Sequence, residues 1–261
     1  MCLNRASRTL RCQRCNFQMR TLSAAELLRV WECGLDHGPV ARALDLLGAA
    51  CPETSPDVLA DLSIGQRDAM LLTLRELTFG PEMNCLITCA RCGERLELSV
   101  TVNDLRAEGG VKSEQDLSVS MSGYDLRLRL PNSRDLADAS LAGATKGPRA
   151  LLERCLLSVS VESKPAVLDH LPAEVINAAA DRLAEADPQA DIQLAVSCPG
   201  CQHNWQAIFD IGRFFWSEIE AWAARLLREV HCLASAYGWH ERDIIGLSSL
   251  RRQFYLEMLG R

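Results

Sequence analysis

The sequence lacks several features that would assign the chain to a familiar class. None of its apolar runs approaches the ~18 consecutive residues that a membrane-spanning helix needs. Its opening stretch, MCLNRASRTLRCQRC, contains no apolar segment of the kind that a secretory signal requires. We therefore expect a globular protein in a reducing, cytosolic setting, with no membrane partner.

Positive charge and catalytic motifs are also missing. The net charge is −6 and the isoelectric point is about 5.5, which disfavours broad electrostatic binding to nucleic acid. No glycine-rich phosphate loop occurs, and the serines and histidines are scattered without a nucleophile–base pattern. The sequence therefore predicts a protein that is not an enzyme and for which nucleic acid is an unlikely ligand.

Cysteine, in contrast, is abundant, with 12 residues in 261. Two pairs have the CxxC spacing: Cys89 with Cys92, and Cys198 with Cys201. Alternating apolar residues flank both pairs, which is typical of half-buried β-strands. These residues are Leu96, Leu98, Val100 and Val102 after the first pair, Ile192, Leu194 and Val196 before the second, and Trp205, Ala207 and Phe209 after it. Two strand–CxxC–strand units predict a zinc ribbon.

The four cysteines suit a closed, structural zinc site, because zinc in such sites takes four ligands in a tetrahedron and leaves no position for substrate. The two pairs are separated by residues 93–197, far more than the 15–20 residues of an ordinary ribbon. Closing a loop of that size costs roughly 4–5 kcal/mol, and structural zinc supplies roughly 10–16 kcal/mol in small peptides. We therefore expect zinc to hold two distant segments together.

Other readings of the cysteines remain open at this point. One CxxC pair could be a redox site, although two pairs with matching strands fit that poorly. Cys85 and His203 lie beside the pairs and could serve as alternative ligands. Cys12 and Cys15 form a third pair without flanking strands, so whether they bind metal stays open.

Capping signals and apolar periodicity predict an α+β fold that is mainly helical, with a split zinc-ribbon β core and an inserted α/β segment. Ser23 with Glu26, and Ser63 with Gln66, are capping boxes that open helices. Met19 could be the true first residue. The predicted segments are a disordered leader (1–18), N-terminal helices (19–80), the split zinc ribbon (81–102 and 191–210), an inserted hairpin with helices (103–190), and C-terminal helices (211–261).

The stretch after the second pair, FDIGRFFWSEIEAWAARLLREVHCLASAYGW, is the most aromatic part of the chain. Its apolar residues fall on more than one side of a long helix, and such a helix is either buried centrally or held against a partner. The sequence alone leaves both open. The candidate partner-binding residues are Phe214, Phe215, Trp216, Trp222, Tyr237 and Trp239.

Several of these stretches, taken in order, resemble the T-even phage baseplate hub assembly chaperone family of contractile phages and phage-like contractile injection systems. They are LSAAELLRVWE, LSIGQRDAMLLTLRELTFG, the first CxxCG, DLRLRLPNSRDL, CPGC, and the tail from FFWSEIEAW through DIIGLSSLRRQFYLEML. The resemblance covers residues 20–259. It implies an accessory protein without catalytic activity that binds hub or other tail proteins in the bacterial cytoplasm, or on the particle.

The leading hypothesis is therefore a zinc-stabilised assembly chaperone or component of a contractile tail-like baseplate. The alternative is a zinc-ribbon protein that binds nucleic acid, for which Arg91, Arg95 and His203 are the obvious basic candidates near the two CxxC pairs. A metalloenzyme is a third reading, and it would require an open ligand position on the metal.

Overall fold

The computed structural model describes residues 9–11, 17–107, 117–143, 147–161, 164–165 and 171–260. In this part of the chain the fold is mixed α and β, mostly helical, with small antiparallel sheets, which confirms the predicted class. None of the described helices combines the length and apolarity needed to cross a membrane. Most of the predicted leader lies outside the described residues, but strand β1 (Thr9–Arg11) pairs there with β2 (Gln18–Arg20).

Four helices follow the first strands: α1 (Ala24–Cys33), α2 (Pro39–Ala50), α3 (Pro56–Asp61) and α4 (Ile64–Phe79). Both predicted capping boxes are present. The Ser23 hydroxyl accepts from the Glu26 N–H while the Glu26 carboxylate accepts from the Ser23 N–H, and Ser63 and Gln66 repeat the arrangement. Helix α4 is buried on almost every side, which makes it the centre of the helical body.

Helix α8 (Ile211–Tyr237) packs against α1, α2 and α4. Asp210 caps its start by accepting from the Arg213 N–H, and Gly238, at φ 68°, ends it in the left-handed region that glycine tolerates. The guanidinium of Arg75 in α4 donates to both Glu218 carboxylate oxygens in α8, at 2.9 and 2.6 Å. This bidentate pair, with Arg75 only 2% exposed, fixes α8 against α4.

Two short helices, α9 (Glu241–Ile245) and α10 (Ser249–Met258), fold back on the distal half of α8. A separate apolar cluster lies between them, built on Leu226, Val230, Leu233 and Ile244. Ser248 caps the start of α10, because its hydroxyl accepts from the Arg251 N–H. The C-terminal helices thus have a small core of their own beside that of the helical body.

Two β-hairpins lie beside the helical body. Strand β3 (Glu82–Thr88) pairs with β4 (Arg95–Thr101), and β9 (Ile192–Ser197) pairs with β10 (Asn204–Phe209), both antiparallel. Exposure alternates along each strand, as the period-2 pattern predicts. The inward side chains reach the core of the helical body, which they join through Met83, Val100, Ile192, Leu194 and Phe209.

The segment between the hairpins forms its own layer. It contains β5 (Leu117–Met121), β6 (Tyr124–Leu128), α5 (Ser133–Leu141), α6 (Gly147–Cys155), β7 (Leu156–Val161), β8 (Lys164–Pro165) and α7 (Ala173–Ala186). The sheet order is β5-β6-β7-β8, and α7 packs on β5 and β6 over a second core. The run PRALLERCLLSV predicts a helix through Val159, and this prediction is wrong at β7, because Leu156 pairs with Leu128 and the chain continues as strand.

Buried polar side chains connect the two ends of this inserted segment, near Leu105 and Gln189, and we call this place the neck of the insertion. The Gln189 side chain donates to the Leu105 carbonyl (3.0 Å) and accepts from the Ala107 N–H (2.9 Å), so it joins the two ends of the insertion. Two residues earlier, the Asp187 carboxylate accepts from the Gly65 N–H at 2.8 Å and caps the start of α4. The insertion therefore leaves and re-enters the body at one place.

Candidate metal centre

The first cysteine pair occupies the turn between β3 and β4. The Cys89 N–H donates to the Glu94 carbonyl at 2.8 Å, and the Gly93 N–H donates back to the Cys89 carbonyl at 2.9 Å. Gly93 has φ 77°, in the left-handed region that this tight turn requires. The turn brings Cys89 and Cys92 to the same side of the hairpin tip.

The second pair repeats this turn between β9 and β10. The Cys198 N–H donates to the His203 carbonyl at 2.9 Å, and the Gln202 N–H donates to the Cys198 carbonyl at 2.8 Å. Gln202 stands four residues after the first cysteine, as Gly93 does in the first turn, and it too has a positive φ, of 58°. The two turns are therefore equivalent in hydrogen bonding and in backbone conformation.

The two turns face each other, and their four sulfur atoms converge. The sulfurs of Cys89, Cys92, Cys198 and Cys201 all lie within 4.8 Å of one another. Cys89 Sγ is 3.7 Å from Cys201 Sγ, and Cys92 Sγ is 3.6 Å from Cys198 Sγ. Zinc–sulfur bonds of about 2.3 Å place two sulfurs of a tetrahedron about 3.8 Å apart. Two of the sulfur–sulfur distances thus match a tetrahedral zinc shell, and the others are close enough for all four sulfurs to bind one ion.

Ionisation at this cluster is uneven. Burial raises the pKa of Cys89, but N–H groups of Cys92 and Arg91 and neighbouring thiols donate to its thiolate and lower the pKa to about 7. The Glu94 N–H lowers the pKa of Cys92, but the sulfurs of Cys201 and Cys198 raise it by more, so the net effect is a pKa of about 12. Because like charges this close repel, four thiolates need a cation between them.

The donor set fits zinc in a structural role. All four donors are thiol sulfurs, which are soft ligands that zinc accepts, and four of them fill a tetrahedron. When bound, the metal would supply cross-linking rather than Lewis acidity toward a substrate. Cys89 and Cys198 are buried at 1% exposure each, whereas Cys201 is half-buried and Cys92 is exposed at the surface. The site therefore lies at the edge of the body and holds the two hairpin tips together.

The alternative ligands lie away from the cluster. Cys85 is buried within β3, and burial raises its pKa, which keeps the thiol protonated and unreactive. The His203 ring stacks on Trp205 with centroids 5.4 Å apart, and no histidine joins the metal-competent group among the described residues. Cys12 and Cys15 lie outside the described residues.

Basic side chains do not dominate the surface around the two CxxC turns. Arg91 and Arg95 are exposed there, but the exposed carboxylates of Glu94 and Glu97 lie on the same hairpin. The Glu94 carboxylate lies against the opposite turn, where a Cβ added to Gly200 would come within 2.2 Å of its Oε2. A phosphate backbone approaching the metal site would meet mixed charge, which gives no support to the nucleic-acid alternative.

The structure divides the six predicted partner-binding residues. Phe215 and Trp216 are 0% and 4% exposed, so no partner can reach them in this conformation. Trp216 is held from three sides: its indole N–H donates to Glu220 at 2.8 Å, and the Arg42 guanidinium lies 4.5 Å from its ring. Its ring also lies so close to Gly34 that an added Cβ there would clash.

The other four candidates are more accessible. Phe214 and Trp222 are half-buried, and Phe214 packs against Phe209 with ring centroids 5.4 Å apart. Tyr237 and Trp239 stack at 4.8 Å at the end of α8, and both also contact the Tyr255 ring. The accessible aromatic surface therefore lies at the C-terminal end of α8, against α10.

One apolar surface was missed by the sequence interpretation. Leu250, Phe254 and Met258 are 64%, 55% and 73% exposed, and their spacing of four residues aligns them along one side of α10. We call these three side chains the α10 ridge. The i, i+4, i+8 spacing was visible in LSSLRRQFYLEML, but the pattern alone does not say which apolar side of a helix faces the core.

The family comparison bears on this site. A family model described as T4 bacteriophage base plate protein matches residues 10–216, which include both hairpins, the insertion and all four clustered cysteines. The match ends within α8, so the distal half of α8 and helices α9 and α10 lie beyond it. No curated protein and no solved structure matches the chain.

Proposed function

Because the chain belongs to the T4 bacteriophage base plate protein family, we propose that it is a non-catalytic, zinc-stabilised assembly chaperone or component of a contractile tail-like baseplate. It binds hub or other tail proteins, and it does so in the bacterial cytoplasm where tails assemble. The family match supports the baseplate setting, and the chaperone role and the hub partner are our proposal.

The convergence of four thiols from the two hairpins is the observation that carries this proposal. A closed sulfur shell suits a metal that shapes the protein and does not react with a substrate. We call this zinc link between the two hairpin tips the clamp. It leaves the helical body and the insertion free to present surfaces on either side. An adaptor between tail proteins needs such rigid, separate surfaces, because binding is tighter when fewer groups must be ordered on association.

The α10 ridge is a second support. Contiguous exposed apolar side chains often mark protein–protein contacts, and Phe and Met are enriched in such contacts. The accessible aromatic residues Tyr237 and Trp239 lie near α10 through their contacts with Tyr255. We therefore place the contact with hub proteins at the C-terminal helices.

Co-expression tests the proposal. The chain is tagged and produced together with the hub, tube and spike proteins encoded beside it, and the complexes are purified and weighed. We expect at least one baseplate protein to be recovered in a fixed ratio. Recovery of the tagged chain alone, under conditions in which the other proteins assemble into baseplates, would contradict the proposal.

Cobalt substitution tests the metal assignment separately. Cobalt bound by four thiolates in a tetrahedron gives intense visible absorption and a strong sulfur-to-metal charge-transfer band. We expect one equivalent of cobalt per chain with that spectrum. A five- or six-coordinate spectrum would instead indicate an open position and favour the metalloenzyme reading.

A further inference from the structure

A cavity of about 490 Å³ lies between α1, the end of α4, the middle of α8 and the start of α10. Its apolar lining comes from all of these regions, through Leu22, Leu27, Phe79, Trp222, Leu226 and Leu247. Cavities of this size are within the usual range, about 300–1,000 Å³, for sites that accept a ligand group. Its lining combines residues from the family-matched part of the chain with residues from the C-terminal helices beyond that match.

Two charged side chains of the lining, Arg252 and Glu229, pair with each other. Arg252, 5% exposed, donates from Nε to the Glu229 carboxylate at 2.7 Å and from Nη1 to the Leu247 carbonyl at 2.6 Å. This pair is neutral and fixes α10 to α8. It therefore forms part of the wall and leaves little charge of its own to attract a ligand.

Arg225 differs from this pair. It is an exposed residue of the lining, and its guanidinium forms no ion pair or hydrogen bond with any other described residue. Ser249 is also an exposed residue of the lining, and we call these two residues the mouth of the cavity. A cation and a hydroxyl favour an anionic oxygen, while the apolar part of the lining, which we call the floor, favours a large apolar group.

We propose that this cavity receives a short segment of another baseplate protein that presents a large apolar side chain beside a carboxylate. The apolar group fills the floor next to Trp222, and the carboxylate pairs with Arg225. The inference rests on the proposed function, because it assumes a baseplate partner. It assigns to that partner a recognition chemistry and a position distinct from the α10 ridge.

A small probe tests the recognition chemistry without any partner. The protein is labelled with 5-fluorotryptophan, and the Trp222 signal is identified by its loss in Trp222→Phe. N-acetyl-L-phenylalanine is then titrated, with its neutral amide as the comparison. We expect the Trp222 signal to shift with affinity in the millimolar range for the acid. We expect binding to be about three- to fivefold weaker for the amide, as the loss of one solvent-exposed ion pair predicts.

Matched variants localise the effect. Arg225→Glu reverses the charge at the mouth, and Arg228→Glu makes the same change three residues along α8, outside the lining. We expect the first variant to abolish the preference for the acid and the second to retain it. Ser249→Phe, at an exposed position, should occlude the mouth and weaken both ligands. Thermal melting checks that each variant is folded.

Three results would overturn the inference: no shift of the Trp222 signal, equal affinity for acid and amide, or unchanged binding in Ser249→Phe.

The test with a partner protein uses Arg225→Glu and Arg228→Glu in the co-expression experiment. If wild type recovers a baseplate protein and Arg225→Glu recovers as much, the cavity inference fails while the proposed function stands. If wild type recovers none, the proposed function fails, and the probe titration still decides whether the cavity binds the acid.

Discussion

At the scale of single residues, the two CxxC turns carry different residues at the position with positive φ. Gly93 and Gln202 both adopt positive φ, but only glycine does so without strain from its Cβ. The second turn therefore depends more on its hydrogen bonds, and on the proposed zinc, to keep its shape. Of the four cysteines, those of the second turn are the more informative to replace.

Replacing Cys198 tests the metal clamp. Cys198→Ser removes a buried sulfur from the cluster, and we expect zinc content to fall well below one equivalent. The free energy of unfolding should drop by several kcal/mol, because zinc binds the folded chain and its binding free energy, less the cost of closing the loop, is lost with the metal. Zinc analysis and chemical denaturation measure the two effects.

Cys33→Ser is the matched control, since Cys33 is exposed and far from the cluster in sequence. It should leave zinc content and stability unchanged. A Cys198→Ser protein that behaves like this control would show that the four thiols do not hold a metal.

Asp68 provides a test of a different kind. Burial raises its pKa from 3.8 to about 6, although Arg67 opposes the shift, and Asp210 and Asp187 add to it. The folded state therefore binds a proton more tightly than the unfolded state, so stability contributed by this group is lost as pH rises from about 4 to about 6.

We expect Asp68→Asn to remove that loss. Relative to wild type, the variant should gain roughly 3 kcal/mol of stability between pH 4 and pH 7, the equivalent of about two pKa units. Denaturation of both proteins across this range measures the difference, and the metal contribution, common to both, cancels. Stability curves that stay parallel would show that Asp68 does not titrate in this range.

At the scale of elements, local signals in the sequence predicted more than long-range ones. The capping boxes at Ser23 and Ser63 and the strands beside the CxxC pairs were readable, because each depends on neighbours a few residues away. Strand β7 was not, since Leu156 and Leu157 continue a helical pattern and only pairing with β6 makes them strand. Likewise, Arg127 and Arg129 could not be told apart in sequence, yet Arg129 makes a bidentate pair with the buried Asp135.

Gln189 makes long-range contacts that no sequence pattern predicts. Gln189→Ala would remove both hydrogen bonds of this side chain at the neck of the insertion, the one to the Leu105 carbonyl and the one from the Ala107 N–H. We expect a loss of about 2 kcal/mol, because buried polar groups without hydrogen bonds are costly. Hydrogen exchange should rise most at residues 105–107. Gln193→Ala removes an exposed glutamine from β9 and should change neither quantity.

The α10 ridge yields a prediction about binding rather than stability. Phe254→Ser replaces an exposed side chain, so the free energy of unfolding should change by less than about 0.5 kcal/mol. Recovery of baseplate proteins in co-expression should fall severalfold, and Gln253→Ser, at the neighbouring exposed position, should leave it unchanged. Equal recovery of both variants would place the contact elsewhere on the protein.

At the scale of the whole molecule, the sequence predicted the fold class and the convergence of two distant hairpins, because the spacing of CxxC pairs encodes a shared ligand set. It could not predict that Phe215 and Trp216 are core residues, since an aromatic helix can face either its own core or a partner. Nor could it predict the cavity, whose lining is gathered from four separate helices.

Chelation examines the clamp in the intact protein. Removing zinc with a strong chelator should lower the melting temperature and make residues 93–197 more accessible to protease, because the hairpin tips are no longer joined. Limited proteolysis with mass spectrometry maps the cleavage sites. Restoring zinc should reverse the effect, and cadmium, which also binds thiolates, should do the same. Cleavage that is equally fast with and without metal would contradict the clamp.

The neck at Gln189 has an evolutionary consequence. The two ends of the insertion meet there, so a change of length further along the insertion need not shift the register of either hairpin. Such a change must keep the contacts that α5 makes with the helical body, where Arg134 pairs with Asp57 and Asp61. Variation within these bounds would give related proteins a different attachment surface over an unchanged cluster of four cysteines.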